Sequence, residues 1–207
     1  MKRIIFVIIT IFLVATTGIY AQNNAARQTL DKTAAAIRQA GDISATFTAT
    51  STSGSMSGTV YIQKNKLVLV SPNVKCWYDG KTLWTYNRHN NEVNITTPTQ
   101  AEQQSINPYL FLNIYKKGYK CAQKEVRLSG KDCYEVTLTA TSAANKLKSM
   151  VVCINKANHY PISVKMNRQK GSTTIYITNY KTHQKFKAST FRFNPKECAG
   201  AEIIDLR

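Results

Sequence analysis

The residue types that most often perform chemistry in proteins are few in this chain. A cysteine can act as a nucleophile, a metal ligand or half of a disulfide bond, and a histidine as a general base or a metal ligand. The 207 residues include five cysteines and three histidines, namely Cys76, Cys121, Cys133, Cys153, Cys198, His89, His159 and His183. The cysteines form no CxxC pair and have no zinc-site spacing, and each histidine falls in a polar connection. We therefore predict that the cysteines are structural, and that no metal is bound.

Motifs for known catalytic sites are also absent from the sequence. It contains no GxSxG, HExxH, Walker loop or GxGxxG, and its 11 acidic residues show no pairing typical of a general acid and base. The odd number of cysteines leaves at least one thiol without an internal partner, and the sequence assigns no pairing. One alternative is a cysteine nucleophile whose partner histidine is distant in sequence. The simpler prediction is a protein that is not an enzyme and needs no cofactor.

The first residues have the pattern of a secretory signal peptide. Lys2 and Arg3 precede an apolar run from Ile4 to Ile19, and small Ala21 stands at the end. A basic start, an apolar centre and a small residue before the cleavage site are typical of such peptides. We predict that residues 1–21 are removed and that 22–207 form a single exported domain. An uncleaved membrane anchor is the alternative.

The charge of the chain is strongly positive, with 28 Lys and Arg against 11 Asp and Glu and a formal net charge of +17. Such a surface attracts lipid headgroups, lipopolysaccharide or nucleic acid. The stretches YKKGYK and KTHQKFK alternate aromatic and basic residues, as some single-strand binders do. However, no basic run is longer than two residues, as at Lys116-Lys117, and exported proteins seldom meet nucleic acid. The composition therefore favours a membrane-facing surface and no nucleic-acid partner.

The positions that could bind a ligand must be held by a sheet and two helices. Leu30 and Ile37 recur at helical spacing in residues 23–41, and from Ile43 onward the apolar period changes to two. Strands follow at short intervals, with SGSMSG as a flexible turn, Asp79-Gly80 as a hairpin turn and KASTFRFN as the last predicted strand. The fold class is mainly β. We expect one curled antiparallel sheet that forms a barrel or a sandwich.

A short helix is predicted within NPYLFLNIYKKG, residues 107–118. Asn107 can cap it, Pro108 suits its first position, and Gly118 can end it. Its side chains are apolar around nearly the whole circumference, so we expect two buried sides. A capping box from Thr99 to Glu102 opens a polar turn before it.

Several stretches resemble the LolA family of periplasmic carriers of outer-membrane lipoproteins. They are DGKTLWTYN (79–87), ISATFTAT (43–50), the NPYLFL helix and the closing FRFNPKECAGAEIIDLR (191–207), in the order in which the family has them. The resemblance covers essentially the whole predicted mature chain. It implies an incomplete β-barrel, an N-terminal helix and a helical lid. It also implies a hydrophobic cavity that holds the acyl chains of a lipoprotein during transfer from the inner to the outer membrane.

The resemblance also implies which residues contact acyl chains. The lid candidates are Tyr109, Leu110, Phe111, Leu112 and Ile114. The candidates on strands are Phe47, Val60, Ile62, Leu67, Leu69, Trp77, Trp84 and Tyr86. Strand register decides which of the second set face the cavity. The 108–115 helix can alternatively be an ordinary core helix, and Trp84 an ordinary core residue.

One departure from the family concerns how the lid is held shut. The family has an Arg-Pro pair after its second strand, whereas this chain reads QKNKLVLVSPNV there, which leaves Lys64 and Lys66 as candidate lid-locking cations. The partners implied are acylated lipoproteins, an inner-membrane lipoprotein-release transporter and an outer-membrane acceptor that the sequence does not identify, for a protein acting as a monomer. The alternative is a lipid- or lipoprotein-sensing regulatory module on the same fold.

Overall fold

The computed structural model describes residues 23–99, 102–103 and 114–207. In these ranges, helix α1 covers residues 23–39 and is followed by twelve strands. The strands are β1 (Asp42–Ser51), β2 (Gly54–Gln63), β3 (Lys66–Val70), β4 (Val74–Tyr78), β5 (Leu83–Asn87), β6 (Glu92–Thr96), β7 (Tyr119–Leu128), β8 (Lys131–Ala140), β9 (Leu147–Asn155), β10 (Pro161–Arg168), β11 (Gly171–Gln184) and β12 (Glu202–Asp205). Short 3-10 turns cover Ile114–Lys116, Ala188–Phe191 and Pro195–Cys198. None of the helices in this part of the chain is long and apolar enough to cross a bilayer.

All twelve strands belong to one sheet, in the order β12-β6-β5-β4-β3-β2-β1-β11-β10-β9-β8-β7. The two end strands, β12 and β7, do not pair with each other, so the curled sheet is an incomplete barrel, as predicted. Every neighbouring pair is antiparallel except β12 with β6, which is parallel. This corrects the expectation of a wholly antiparallel sheet.

Helix α1 packs across one face of the sheet, which we call the inner face. Its first half contributes Ala26 and Leu30 to a cluster with β7–β10, the first core, and its second half contributes Ala34 and Ile37 to a cluster with β1–β4, the second core. The apolar residues recur every three or four positions, so one stripe of the helix meets the sheet. Both cores therefore depend on the same helix.

The outer face of β2–β6 is covered by the residues that follow β11. Phe191 is fully buried there in a cluster with Val68, Trp77, Val93 and Cys198, the outer core. The predicted strand KASTFRFN is therefore wrong, because Ala188–Phe191 is a 3-10 turn. Its alternating aromatic residues cover the sheet, while β12 takes the place beside β6.

The turn between β1 and β2 is tighter than predicted. It consists of residues 52 and 53, where Ser51 Oγ accepts a hydrogen bond from Ser53 N at 3.3 Å. Strand β2 then begins at Gly54, and Met56 pairs with Ala49. The expected flexible SGSMSG turn is wrong, because its small residues alternate across an ordinary strand and continue the ladder.

Candidate functional site

Strand pairing aligns a continuous row of apolar side chains across the inner face. Residues that lie directly opposite each other on paired strands point to the same face of the sheet. Six strands, β8, β9, β10, β11, β1 and β2, each contribute one residue at the same level. In that order the residues, which we call the apolar row, are Val136, Val152, Val164, Ile175, Ala49 and Met56.

The apolar row is covered unevenly. Val136, Val152 and Val164 are buried in the first core together with Leu30 of α1. Ile175 and Ala49 are only half-buried, and Met56 is 38% exposed. Leaving apolar surface in contact with water is unfavourable. The row therefore has a closed end beneath α1 and an open end at the β1–β2 hairpin, where an apolar ligand could cover it.

Phe47 lies beside the open end and depends on a glycine opposite it. Phe47 pairs with Gly58 on β2 and with Ile177 on β11, and it is buried. A Cβ added to Gly58 would lie 2.1 Å from the carbonyl oxygen of Val70 and 3.1 Å from the Phe47 ring. A side chain at position 58 would therefore push apart strands β2 and β3. Because Gly58 has no side chain, the Phe47 ring can pack next to it on the inner face.

The sequence-predicted strand residues divide between the two faces. Those on the inner face are Ile62 and Leu67, which are buried in the second core, Val60 and Leu69, which pack against it, and Phe47. Ile114 packs against the first core. The structure thus places these six residues on the face that carries the apolar row. Whether they contact acyl chains stays a prediction.

Three of the predicted residues lie on the opposite face, which corrects their expected place in one cavity. Trp77 is buried in the outer core, and Trp84 and Tyr86 pack against it. Side chains alternate along a strand, so the neighbours of Trp77 and Trp84, Tyr78 and Leu83, face α1 instead. Sequence periodicity identified the alternation but not which of the two sets lies beneath α1.

The remaining predicted residues belong to the lid and its lock. Lys64 and Lys66 flank Asn65 at the β2–β3 turn, and Lys64 has a left-handed backbone with φ of 53°. Tyr109, Leu110, Phe111 and Leu112 lie outside the described residues. The lid and the lysines that would replace its arginine thus stay predictions.

An arginine on α1 anchors the segment that enters β7. Arg27 donates hydrogen bonds from Nη1 to the carbonyl oxygen of Tyr115 at 3.0 Å and from Nη2 to that of Tyr119 at 3.1 Å. The Tyr115 hydroxyl donates to the carboxylate of Asp31, one turn further along α1. Burial and this hydrogen bond raise the pKa of Tyr115. The end of the segment that the sequence assigns to the lid is therefore fixed to the helix.

Replacing Arg27 with methionine should loosen this anchor. Methionine keeps much of the apolar stem but donates no hydrogen bonds, and bonds made by charged groups contribute about 1.5–3 kcal/mol each. We expect the free energy of unfolding, measured in urea, to fall by about 1.5–3 kcal/mol for the two bonds together, because Arg27 is only half-buried and solvent weakens both. Lys32→Met is the matched control, because Lys32 is exposed on the same helix. Equal stability of the two variants would contradict the anchoring role.

A cavity of about 510 Å³ opens beside strands β5 and β6. It is lined by Leu83, Thr96, Thr97, Pro98, Glu102, Leu206 and Arg207. The predicted capping box forms here, since the amide and the hydroxyl of Thr99 each donate to Glu102 Oε2 at 2.8 Å. These two bonds lower the pKa of Glu102. Leu83 also packs against the second core, so the cavity continues the inner face.

Four of the five cysteines are buried, and Cys76 is half-buried. All five are free thiols. Burial raises the pKa of Cys76, Cys121, Cys133 and Cys198, which disfavours the reactive thiolate. No group of three or more metal-binding side chains occurs within the ranges that the structure describes.

Comparisons with known proteins agree with this architecture. The sequence profile described as "Outer membrane lipoprotein carrier protein LolA" matches residues 17–172. A search of curated protein sequences finds no significant match.

Among solved structures, an uncharacterized conserved protein from Thermus thermophilus is similar with a TM-score of 0.60 and 13% identity, covering 87% of this chain and 99% of that one. Lipoprotein LppX from Mycobacterium tuberculosis gives a TM-score of 0.52 and 11% identity, covering 79% and 98%. The Pseudomonas aeruginosa MucA/MucB complex gives a TM-score of 0.50 and 12% identity, covering 83% of this chain and 62% of the matched chain. At these identities the likeness shows a shared fold.

Proposed function

Because the chain belongs to the family of the outer membrane lipoprotein carrier protein LolA, we propose that it is a periplasmic carrier of lipoproteins. It binds their acyl chains on the inner face of its sheet and carries them from the inner to the outer membrane. The observation that supports this proposal is the apolar row, which is buried beneath α1 at Val136 and open to solvent at Met56.

The physical requirement for such a carrier comes from the cargo. Each methylene of an acyl chain removed from water contributes about 0.8 kcal/mol, so an acylated protein does not leave a membrane without a cover. The half-buried part of the apolar row offers such a cover, and Phe47 adjoins it. In this proposal residues 108–115 supply a lid over the open part that moves about its fixed end at Tyr115, with Tyr109, Leu110, Phe111, Leu112 and Ile114 contacting the acyl chains.

The rest of the proposal follows the family. The signal peptide, residues 1–21, directs export and is removed, and an inner-membrane lipoprotein-release transporter delivers the cargo. An outer-membrane acceptor receives it. The protein acts as a monomer, without catalysis, cofactor or nucleic acid.

The test uses spheroplasts that carry acyl-labelled lipoproteins. The purified chain from Gln22 onward is added, and the soluble fraction is examined for label in a stoichiometric complex with it. The matched control is the same lipoprotein with its acylated cysteine replaced, so that it bears no acyl chain. We expect a soluble complex with the acylated form alone. Equal binding of both forms would overturn the proposal.

A regulatory module on the same fold is the second candidate, and it is favoured by the similarity to MucB, whose solved structure contains MucA. Such a module would bind a lipopeptide but release no lipoprotein from spheroplasts, and it would retain one protein partner in pull-downs. Release of labelled lipoprotein by the purified chain alone would exclude this candidate.

A further inference from the structure

The acidic residues of strands β7–β11 all lie at one end of the sheet, where basic residues accompany them, and the other end carries basic residues alone. Residues 114–184 contain three acids, Glu125, Asp132 and Glu135, and all three lie near the β7–β8 turn. The opposite end, where the β1–β2, β8–β9 and β10–β11 turns lie, carries seven cations from the same residues. We call them the basic rim: Lys116, Lys117, Lys120, Lys146, Lys148, Arg168 and Lys170.

The segments that carry the basic rim are joined to one another. The carbonyl oxygen of Gly118 accepts hydrogen bonds from Thr141 N at 3.0 Å and from Asn145 Nδ2 at 3.2 Å, which ties the start of β7 to the β8–β9 turn. Arg168 pairs with Leu147, and Leu147 is flanked in sequence by Lys146 and Lys148. The seven cations therefore belong to one continuous edge.

In the part of the chain that the structure describes, no ion pair involves a cation of the basic rim. Glu125 and Glu135 form ion pairs with Lys156 and Lys124, away from the rim. The hydrogen bonds from Thr99 are the main cause of the lowered pKa of Glu102, and Lys146 adds a smaller electrostatic contribution without forming an ion pair with it. The rim thus presents a field that is largely uncompensated.

The basic rim adjoins the open end of the apolar row. Thr52 Oγ1, in the β1–β2 turn, lies 3.1 Å from the place that a Cβ on Gly171 would take, next to Lys170. Met56 is four residues beyond Thr52, at the same end of the sheet. A flat anionic surface that meets the rim would therefore also meet the open end of the row.

We propose that the basic rim docks the protein onto a bilayer that contains anionic phospholipids. The negative headgroups of such a bilayer attract clustered lysines that come within about a Debye length of its surface. The ammonium groups are strongly hydrated, so they suit contact with the headgroups better than insertion into the hydrocarbon core. Single-stranded nucleic acid fits less well, because the neighbouring aromatic residues, Tyr115 and Tyr119, are buried and offer no stacking surface. The docked orientation brings the open end of the apolar row to the membrane, and this consequence rests on the proposed function.

The test is cosedimentation of the chain from Gln22 onward with vesicles of phosphatidylcholine, with or without phosphatidylglycerol. The rim variant is Lys117→Gln, Lys146→Gln and Lys170→Gln. The control variant, Lys81→Gln, Lys131→Gln and Lys187→Gln, removes the same charge from exposed positions away from the rim. We expect the unaltered chain to bind only the anionic vesicles, the rim variant to bind them at least about tenfold more weakly, and the control variant to change much less.

Three outcomes would overturn the docking proposal. They are an equal loss of vesicle binding in the rim and control variants, equal binding of the unaltered chain to neutral and anionic vesicles, or binding to anionic vesicles that survives raised ionic strength. Lipopeptide capture in solution, without vesicles, separates this proposal from the carrier function. A chain that captures lipopeptide but does not dock overturns docking alone, and a chain that docks but captures nothing overturns the carrier alone.

Discussion

An Ile175→Glu protein should fold and yet fail to capture acylated lipoproteins. Ile175 is half-buried in the middle of the apolar row, between Val164 and Ala49. Without ligand, a glutamate there can still reach water. With an acyl chain over it the carboxylate would be buried without a partner, which costs several kcal/mol. We expect the affinity for a fluorescent lipopeptide to fall by about a hundredfold or more.

The neighbouring residue supplies the matched control for this prediction. Tyr176 lies on the outer face and is 48% exposed, so Tyr176→Glu adds the same charge to the same strand without approaching the apolar row. Circular dichroism and urea unfolding should show both variants to be folded. Equal lipopeptide affinity in the two folded variants would contradict the assignment of the row as the acyl site.

Trp77→Ala should cause the largest loss of stability. Trp77 is 1% exposed, its ring meets Phe193 edge-on at a centroid distance of 5.5 Å, and Lys75 Nζ lies 4.6 Å above it. Removing a fully buried tryptophan leaves a cavity as well as losing transfer energy, at a cost of about 3–5 kcal/mol. We expect the free energy of unfolding, measured in urea, to fall by that amount.

Trp84→Ala is the control, because Trp84 pairs with Trp77 across the strands but is only half-buried. It should cost less, since part of its ring is already in water. If Trp77→Ala proved as stable as Trp84→Ala and instead abolished lipopeptide capture, the place of Trp77 in the outer core would be wrong. Its originally expected role in the acyl cavity would then be restored.

The sequence predicted those features that depend on neighbouring residues. The α1 stripe, the alternation of the strands and the Thr99–Glu102 capping box are all present. The Asp79-Gly80 hairpin is present as well, although its loop contains four residues, with Asp79 Oδ1 accepting hydrogen bonds from the amides of Lys81 and Thr82. In each case the interaction spans a few positions, so local propensity and spacing suffice to indicate it.

Features that depend on distant contacts could not be predicted. Alternation shows that Trp77 and Tyr78 face opposite ways, but α1 and the segment around Phe191 decide which face each covers. Arg27 resembles an ordinary exposed helical arginine until the chain returns to it 88 residues later. The KASTFRFN segment has a valid strand pattern, but Phe191 and Phe193 pack on the outer face of the sheet and β12 is the strand that pairs with β6.

The late position of the residues that cover the outer face determines when the fold can be completed. Strands β2–β6 come early in the chain, whereas the segment that buries Trp77 and Val93 comes after β11. Contacts between distant parts of a chain form slowly, and apolar strands promote aggregation until such contacts cover them. During synthesis from the N-terminus, the outer face of β2–β6 therefore stays uncovered until the residues after β11 have been made. Folding is expected to finish at the part of the sheet that was synthesised first.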